Sequence, residues 1–192
     1  MAHSHHHPPH GAKGWLLAAL VMTVALVATE FAAGTTGHSL SLVSDGWHNL
    51  SDLPSLFFAW LAIHLEQKPP NHQRTFGYQR AGVLAAFINA LILVAVALVI
   101  GYEGYGRIRH PAPVATGLMI AVGAVALVIN GVITYGMVHG RGDLNVRAIF
   151  IHNLGDAISN VAIIGGAILI RVFHTPLIDP ILGLLIAVMI LW

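Results

Sequence analysis

The sequence contains no cysteine and few charged residues. With no cysteine among its 192 residues, the chain has no disulfide framework, no thiolate metal site and no cysteine nucleophile. Only 9% of the residues are charged, against about 25% in a typical soluble domain. The net charge of +1 at pH 7 provides no basic surface, so we expect no nucleic-acid partner. Intrinsic disorder of the chain as a whole is excluded because 56% of its residues are hydrophobic.

Long apolar segments make up most of the sequence. The mean hydropathy is +0.76, which is typical of a protein that crosses the membrane several times. A transmembrane helix needs roughly 20 mostly apolar residues. We therefore predict an all-α protein with a His-rich tail at residues 1–14 and one six-helix transmembrane bundle at residues 15–192. The six spans are expected at residues 15–36, 40–65, 81–107, 115–138, 148–171 and 177–192.

The first and last spans differ from the others. The first is too long for the apolar region of a cleaved signal sequence and leads directly into further spans, so we interpret it as a retained helix. The last has 16 residues. At about 1.5 Å per residue it covers about 24 Å of a hydrocarbon core about 30 Å thick. We therefore expect that the chain is a fragment, or that its ordered part stops at the membrane surface.

Lysine and arginine in the joins between spans predict the orientation. One side of the membrane would carry six of these residues and the other side three. The excess predicts that the N-terminus lies in the cytoplasm. The larger set is Lys13, Lys68, Arg74, Arg80, Arg141 and Arg147, and the smaller set is Arg107, Arg109 and Arg171.

A few carboxylates interrupt the apolar spans. Glu30 lies in the first span, Asp45 and Asp52 in the second, and Asp156 in the fifth. An aspartate at the centre of a bilayer costs about 3 kcal/mol in insertion scales unless it is neutralised. No Lys or Arg lies deep in any span, so polar neighbours, protons or a bound cation must compensate.

A five-residue pattern surrounds two of these aspartates. His-Asn-Leu-x-Asp begins at His48 and again at His152, 104 residues later. On a helix, residues four apart share a face, so each histidine projects together with Asp52 or Asp156. If spans two and five face each other, two imidazoles and two carboxylates form a four-ligand set suited to tetrahedral Zn²⁺. Because these spans run in opposite directions, the repeat is inverted, as in many secondary transporters.

Other roles for these polar residues stay open. The duplicated pattern could provide only hydrogen bonds between helices. Asp45 and Glu30 are candidates for an accessory or proton-relay role, or they are simply hydrogen-bonded acids.

Much of the sequence resembles one family of transporters. Residues 29–31 and 37–52 resemble the first two helices of the cation diffusion facilitator family, in its cobalt-zinc-cadmium resistance branch. Residues 74–90 are similar to the start of helix three of that branch, residues 152–160 to its helix five and residues 179–181 to the start of its helix six.

The resemblance implies a function. It suggests a proton-coupled exporter of divalent metal in the inner membrane, not an enzyme, that works as a homodimer without an organic cofactor. Its transport site would fall on His48, Asp52, His152 and Asp156, with Zn²⁺ as the substrate and Cd²⁺ or Co²⁺ as further candidates. Members that favour manganese or iron usually replace the histidine of helix two. The family's usual cytoplasmic domain after helix six is absent from this sequence.

Several histidines lie outside the spans. The tail could gather cytoplasmic metal weakly, or it could be a disordered segment or partly a cloning remnant. A surface metal site near His72, in the loop after span two, is a further candidate, although a lone loop histidine is usually just solvated. These residues are His3, His5, His6, His7, His10 and His72.

The ligand set favours metal and proton exchange over two rival functions. Metal binds neutral imidazole and ionised carboxylate, so binding releases protons, and histidine titrates near neutral pH. An intramembrane zinc-dependent hydrolase would need an open metal position and a general base, which Asp45 or Glu30 could supply. A haem-binding protein could use His48 and His152 as axial ligands but would not need the paired aspartates.

Overall fold

Helices account for nearly all of the residues that the structure describes. The computed structural model describes residues 11–66, 79–140 and 146–191, and side chains at 14–15, 17–54, 87–136 and 154–191. Within these ranges there is no β-strand, so the all-α prediction is confirmed. The helices are α1 (Gly11–Thr36), α2 (Leu40–Glu66), α3 (Gln79–Arg109), α4 (Thr116–Gly140), α5 (Val146–Phe173) and α6 (Ile178–Leu191).

The helix bounds agree closely with the predicted spans. The largest difference is at α1, which begins four residues before the predicted start at residue 15. At the other ends the difference is at most two residues. The apolar segments alone therefore identified all six helices, because glycine, proline and polar residues interrupt the hydropathy between them.

The apolar composition of the helices makes this a membrane protein. In the described ranges, four stretches are long and apolar enough to cross a bilayer, while Ile178–Leu191 is a shorter apolar helix. Large apolar side chains such as Leu98 and Val188 lie on the outside of the bundle, where lipid would cover them. The four stretches are Leu17–Thr36, Phe87–Arg109, Thr116–Gly136 and Leu154–Phe173. The orientation of the N-terminus stays a prediction.

The helices pack around a core that α1, α2, α4, α5 and α6 all supply. α1 lies against α2 and α4, α4 lies against α5, and α6 contacts α2, α3 and α5. α2 also meets α5, which brings together the two helices that carry the repeated pattern. A second apolar cluster joins α2, α3 and α6. The buried residues of the main core are Ala33, Leu42, Met119, Val122, Ile163, Ala167, Ile170 and Ile186.

Candidate metal site

One face of α2 carries the polar residues that the sequence placed in the second span. Asp45 and Asn49 are buried, whereas His48 and Asp52 are partly buried. The helical repeat explains the arrangement, because residues three and four apart are neighbours on a helix surface. An apolar helix buries such a polar face against other helices because lipid cannot hydrogen-bond with it.

Three of the predicted ligands meet between α2 and α5. His48 Nε2 lies 3.0 Å from Asp156 Oδ1, a hydrogen-bond distance that links the two helices. One ligand atom each from His48, Asp52 and Asp156 lies within 4.8 Å of the others. Ligands of a tetrahedral Zn²⁺, each about 2.1 Å from the ion, lie about 3.4 Å apart. The cluster is therefore close to the geometry that one shared ion requires.

The fourth predicted ligand, His152, lies on α5. Its side chain lies outside the part of the structure that is described. Asp156 follows it by four positions, so the helical repeat places both on one face of α5. The complete site of two histidines and two aspartates remains a prediction. The structure brings three of these four side chains together.

Glu30 of α1 is completely buried and faces α2. The side-chain amide of Asn49 donates to both of its carboxylate oxygens, over 2.8 Å and 3.0 Å. The amide therefore provides part of the compensation that a buried carboxylate needs. This contact also joins α1 to the helix that carries His48.

Asp45 links α2 to α5 one turn away from the candidate ligands. The Ser159 hydroxyl donates to Asp45 Oδ1 over 2.7 Å. Among the described side chains, no donor reaches the buried Asp45 Oδ2. The carboxyl group of Glu30 lies beside Asp45, near enough for a hydrogen bond if one of the two carries a proton. Two carboxyl groups on α1 and α2 thus lie together next to the ligand cluster.

Sequence reasoning missed two residues that matter to this arrangement. Ser159 was not singled out, although it follows Asp156 by three residues and so shares its helix face. Asp179 lies in a stretch that resembles the family, but the sequence predicted no role for it. It is fully buried and accepts several hydrogen bonds. Its partners lie about 140 residues earlier in the chain, and no local pattern could have shown them.

The candidate residues for weak metal capture all lie outside the described residues. They are His3, His5, His6, His7, His10 and His72. Their proposed role stays a prediction.

The fold is that of a helical membrane protein, and its bundle brings histidine and aspartate side chains together. The sequence model for the cation efflux transmembrane domain matches residues 16–192. The chain therefore belongs to the cation efflux family, which confirms the family that the motifs suggested.

Several characterised relatives are similar along almost the whole chain. Identity is 38% to the zinc transporter ZitB of Pectobacterium atrosepticum over 100% of this chain. It is 34% to the cadmium, cobalt and zinc/H⁺-K⁺ antiporter of Bacillus velezensis, also over 100% of this chain. It is 35% to the metal cation efflux system protein CzcD of Cupriavidus metallidurans, over 98% of this chain. The chain spans 60–62% of the length of these three relatives.

Proposed function

We propose that this chain is the transport domain of an exporter that moves a divalent metal ion, foremost Zn²⁺, out of the cytoplasm in exchange for protons. The observation that carries the proposal is the convergence of His48, Asp52 and Asp156, whose ligand atoms lie within 4.8 Å of one another. Ionisable residues inside an apolar bundle carry an energetic cost, so such a cluster indicates a functional site. His152 would complete the site.

The ligand chemistry supports zinc as the substrate. Imidazole nitrogen and carboxylate oxygen form tetrahedral Zn²⁺ sites, whereas Mg²⁺ and Ca²⁺ prefer sites made only of oxygen. The names of the relatives agree, since two of them describe a zinc transporter and an antiporter of cadmium, cobalt and zinc. Cd²⁺ and Co²⁺ are therefore further candidate substrates for this chain.

Proton coupling follows from the same ligands. The ion binds after His48 and the aspartates have lost their protons, and it leaves when protons return. A site that faces each side of the membrane in turn would then couple the two flows without further machinery. We propose that Glu30 and Asp45 pass protons towards the site, because both carboxyl groups are buried and bound by residues next to the candidate ligands. Asn49, which binds Glu30, follows His48 directly, and Ser159, which binds Asp45, lies one helical turn from Asp156.

Reconstituted protein tests the proposal. Purified protein in proteoliposomes should take up Zn²⁺, and Asp52→Asn, His48→Ala and His152→Ala should each reduce the rate by more than about 100-fold. Mutation of residues that only hydrogen-bond to metal ligands already lowers metal affinity or activity by about 10–100-fold. His110→Ala is the matched control, because His110 is exposed and lies just beyond the end of α3. Undiminished transport by Asp52→Asn would contradict the assignment.

A binding measurement separates the site from the transport cycle. Anomalous diffraction from crystals soaked in zinc should locate one ion between α2 and α5, in contact with His48, Asp52 and Asp156. An ion found only elsewhere would contradict the proposed site even if the protein transports zinc. The homodimer stays a prediction that chemical cross-linking in membranes can check.

A further inference from the structure

Three other elements hold the turn between α1 and α2. The turn consists of Gly37, His38 and Ser39, and His38 adopts a φ of 54°. From α3, the Arg107 guanidinium donates to the His38 carbonyl oxygen. Just before α4, the Ala115 N–H donates to the Gly37 carbonyl oxygen over 2.9 Å. From α6, Asp179 binds the first turn of α2.

Asp179 makes the most extensive of these contacts. Its Oδ1 accepts hydrogen bonds from the hydroxyls of Ser39 and Ser41, each over 2.6 Å. The same oxygen accepts the Ser41 N–H over 3.2 Å, and Oδ2 accepts the Leu40 N–H over 2.6 Å. The carboxylate is fully buried. Both of its oxygens thus bind a single short segment of another helix.

The chemistry of a helix start explains these contacts. The first N–H groups of a helix have no partner within it, and a carboxylate at that end also interacts favourably with the helix dipole. Such a cap usually comes from the residue just before the helix. Here it comes from α6, so it both caps α2 and fastens α2 to α6.

The cap lies on the helix that carries two of the candidate ligands. Leu40 precedes His48 by eight residues, which is about 12 Å along a helix. Asp179 therefore does not contact the ion, but it determines where the start of α2 lies relative to α6. We propose that Asp179 is a positioning residue that keeps the start of α2 fixed on α6 while access to the site changes. This inference rests on the proposed transport function.

Transport and binding should respond differently to Asp179→Asn. Turnover per folded molecule should fall by about tenfold, whereas the dissociation constant for Zn²⁺ should stay within about threefold, since the ligands are two turns away. Ser41→Ala should act in the same direction but less strongly. In the double variant, Ser41→Ala should cause a smaller loss than it causes in the wild type, because Asp179→Asn leaves only one acceptor oxygen for the start of α2. Ser44→Ala is the matched control, since its buried hydroxyl donates to Leu40 O within α2.

The absence of cysteine allows a direct test of position. Ala187 is buried on α6 in a cluster with Leu40, and Ala126 is buried on α4. A single cysteine at either position can be labelled with N-ethylmaleimide in detergent micelles. In the Asp179→Asn background, labelling of Ala187→Cys should rise more than about fivefold, while labelling of Ala126→Cys should not change. The reason is that loss of the cap should loosen only the contact between α2 and α6.

The outcomes separate this inference from the function on which it rests. Unchanged turnover, or an equal rise in labelling at both positions, would overturn the inference, since an equal rise indicates general loosening of the fold. A wild-type protein that neither binds nor transports Zn²⁺ would overturn the proposed function. The two labelling rates would still show whether Asp179 holds the start of α2.

Discussion

Four carboxylates in the described part of the bundle are buried, and each has polar partners. Asn49 binds Glu30, Ser159 binds Asp45, His48 lies against Asp156, and two serines with two backbone N–H groups bind Asp179. From the sequence we expected compensation by polar groups, protons or a cation. The structure shows polar partners on neighbouring helices in all four cases, and at Asp156 that partner is a candidate metal ligand.

The contact between Asn49 and Glu30 can be tested through stability. Asn49→Ala removes the amide that donates to both oxygens of a fully buried carboxylate. Leaving such a group unsatisfied costs about 1–3 kcal/mol. We expect the free energy of unfolding, measured by denaturant titration in detergent, to fall by that amount. Asn130→Ala is the control, because no partner for the buried Asn130 Nδ2 is found in the described ranges. Equal losses in both variants would contradict the prediction.

Metal preference can be tested at His48. His48→Asp replaces an imidazole nitrogen with a carboxylate oxygen at the candidate site. Carboxylate suits harder ions such as Mn²⁺, whereas imidazole suits Zn²⁺. We expect the ratio of Zn²⁺ to Mn²⁺ affinity, measured by calorimetry, to fall by about tenfold or more. A ratio equal to that of the wild type would show that His48 does not bind the ion.

At the scale of the helices, small residues allow close packing. A Cβ built on Gly183 of α6 would lie 3.0 Å from the backbone carbon of Leu40. One built on Gly34 of α1 would lie 3.0 Å from the backbone nitrogen of Val43. Helices in membranes gain contact by such close approach, because lipid provides little hydrophobic force between them. Both glycines bring a neighbouring helix against the first turns of α2.

Gly183→Ala tests this packing. The added methyl would meet the backbone of Leu40, which cannot move as easily as a side-chain end, so we expect a loss of about 1–3 kcal/mol. Thermal unfolding in detergent measures the loss. Gly101→Ala on α3 is the matched control, because a Cβ there meets nothing within 4 Å. Alanine favours a helix over glycine by about 1 kcal/mol, so the control should be neutral or more stable. A Gly183→Ala variant as stable as the wild type would show that α6 and α2 do not need this close approach.

At the scale of the molecule, the bundle combines an apolar exterior with a polar interior. Side chains such as Leu98 and Val188 face outward, while Glu30, Asp45 and Asp156 are buried inside. The interior polar groups link α1, α2 and α5 across the centre. A change in the position of α2 would therefore alter all of these contacts together, which would suit the proposed exchange of a metal ion for protons.

Proton exchange gives a prediction with a definite sign. If the chain exchanges metal for protons as proposed, Zn²⁺ entering a proteoliposome should drive protons out and raise the lumenal pH, because the candidate ligands would lose protons on binding the ion. A pH-sensitive dye trapped in the lumen measures the change. Vesicles with Asp156→Asn should show neither zinc uptake nor a pH change. Zinc uptake at constant lumenal pH would contradict antiport while leaving metal transport intact.

The same linkage predicts how binding depends on pH. Below neutral pH, protons compete with the metal for imidazole and carboxylate, so affinity for Zn²⁺ should fall as pH is lowered from about 7.5 to about 5.5. Calorimetry at several pH values checks the direction. Affinity that rises over this interval would contradict a site made of His48 and aspartates.

Helices and candidate ligands could be read from the sequence because both depend on local periodicity. Apolar runs of about 20 residues define spans, and residues four apart on a helix share a face. The interval between His48 and Asp52 was therefore informative without any tertiary structure. Partners on different helices carry no such signal. Ser159 beside Asp45, Asn49 beside Glu30 and Asp179 at the start of α2 are brought together only by packing, because each pair is separated by 19 or more residues.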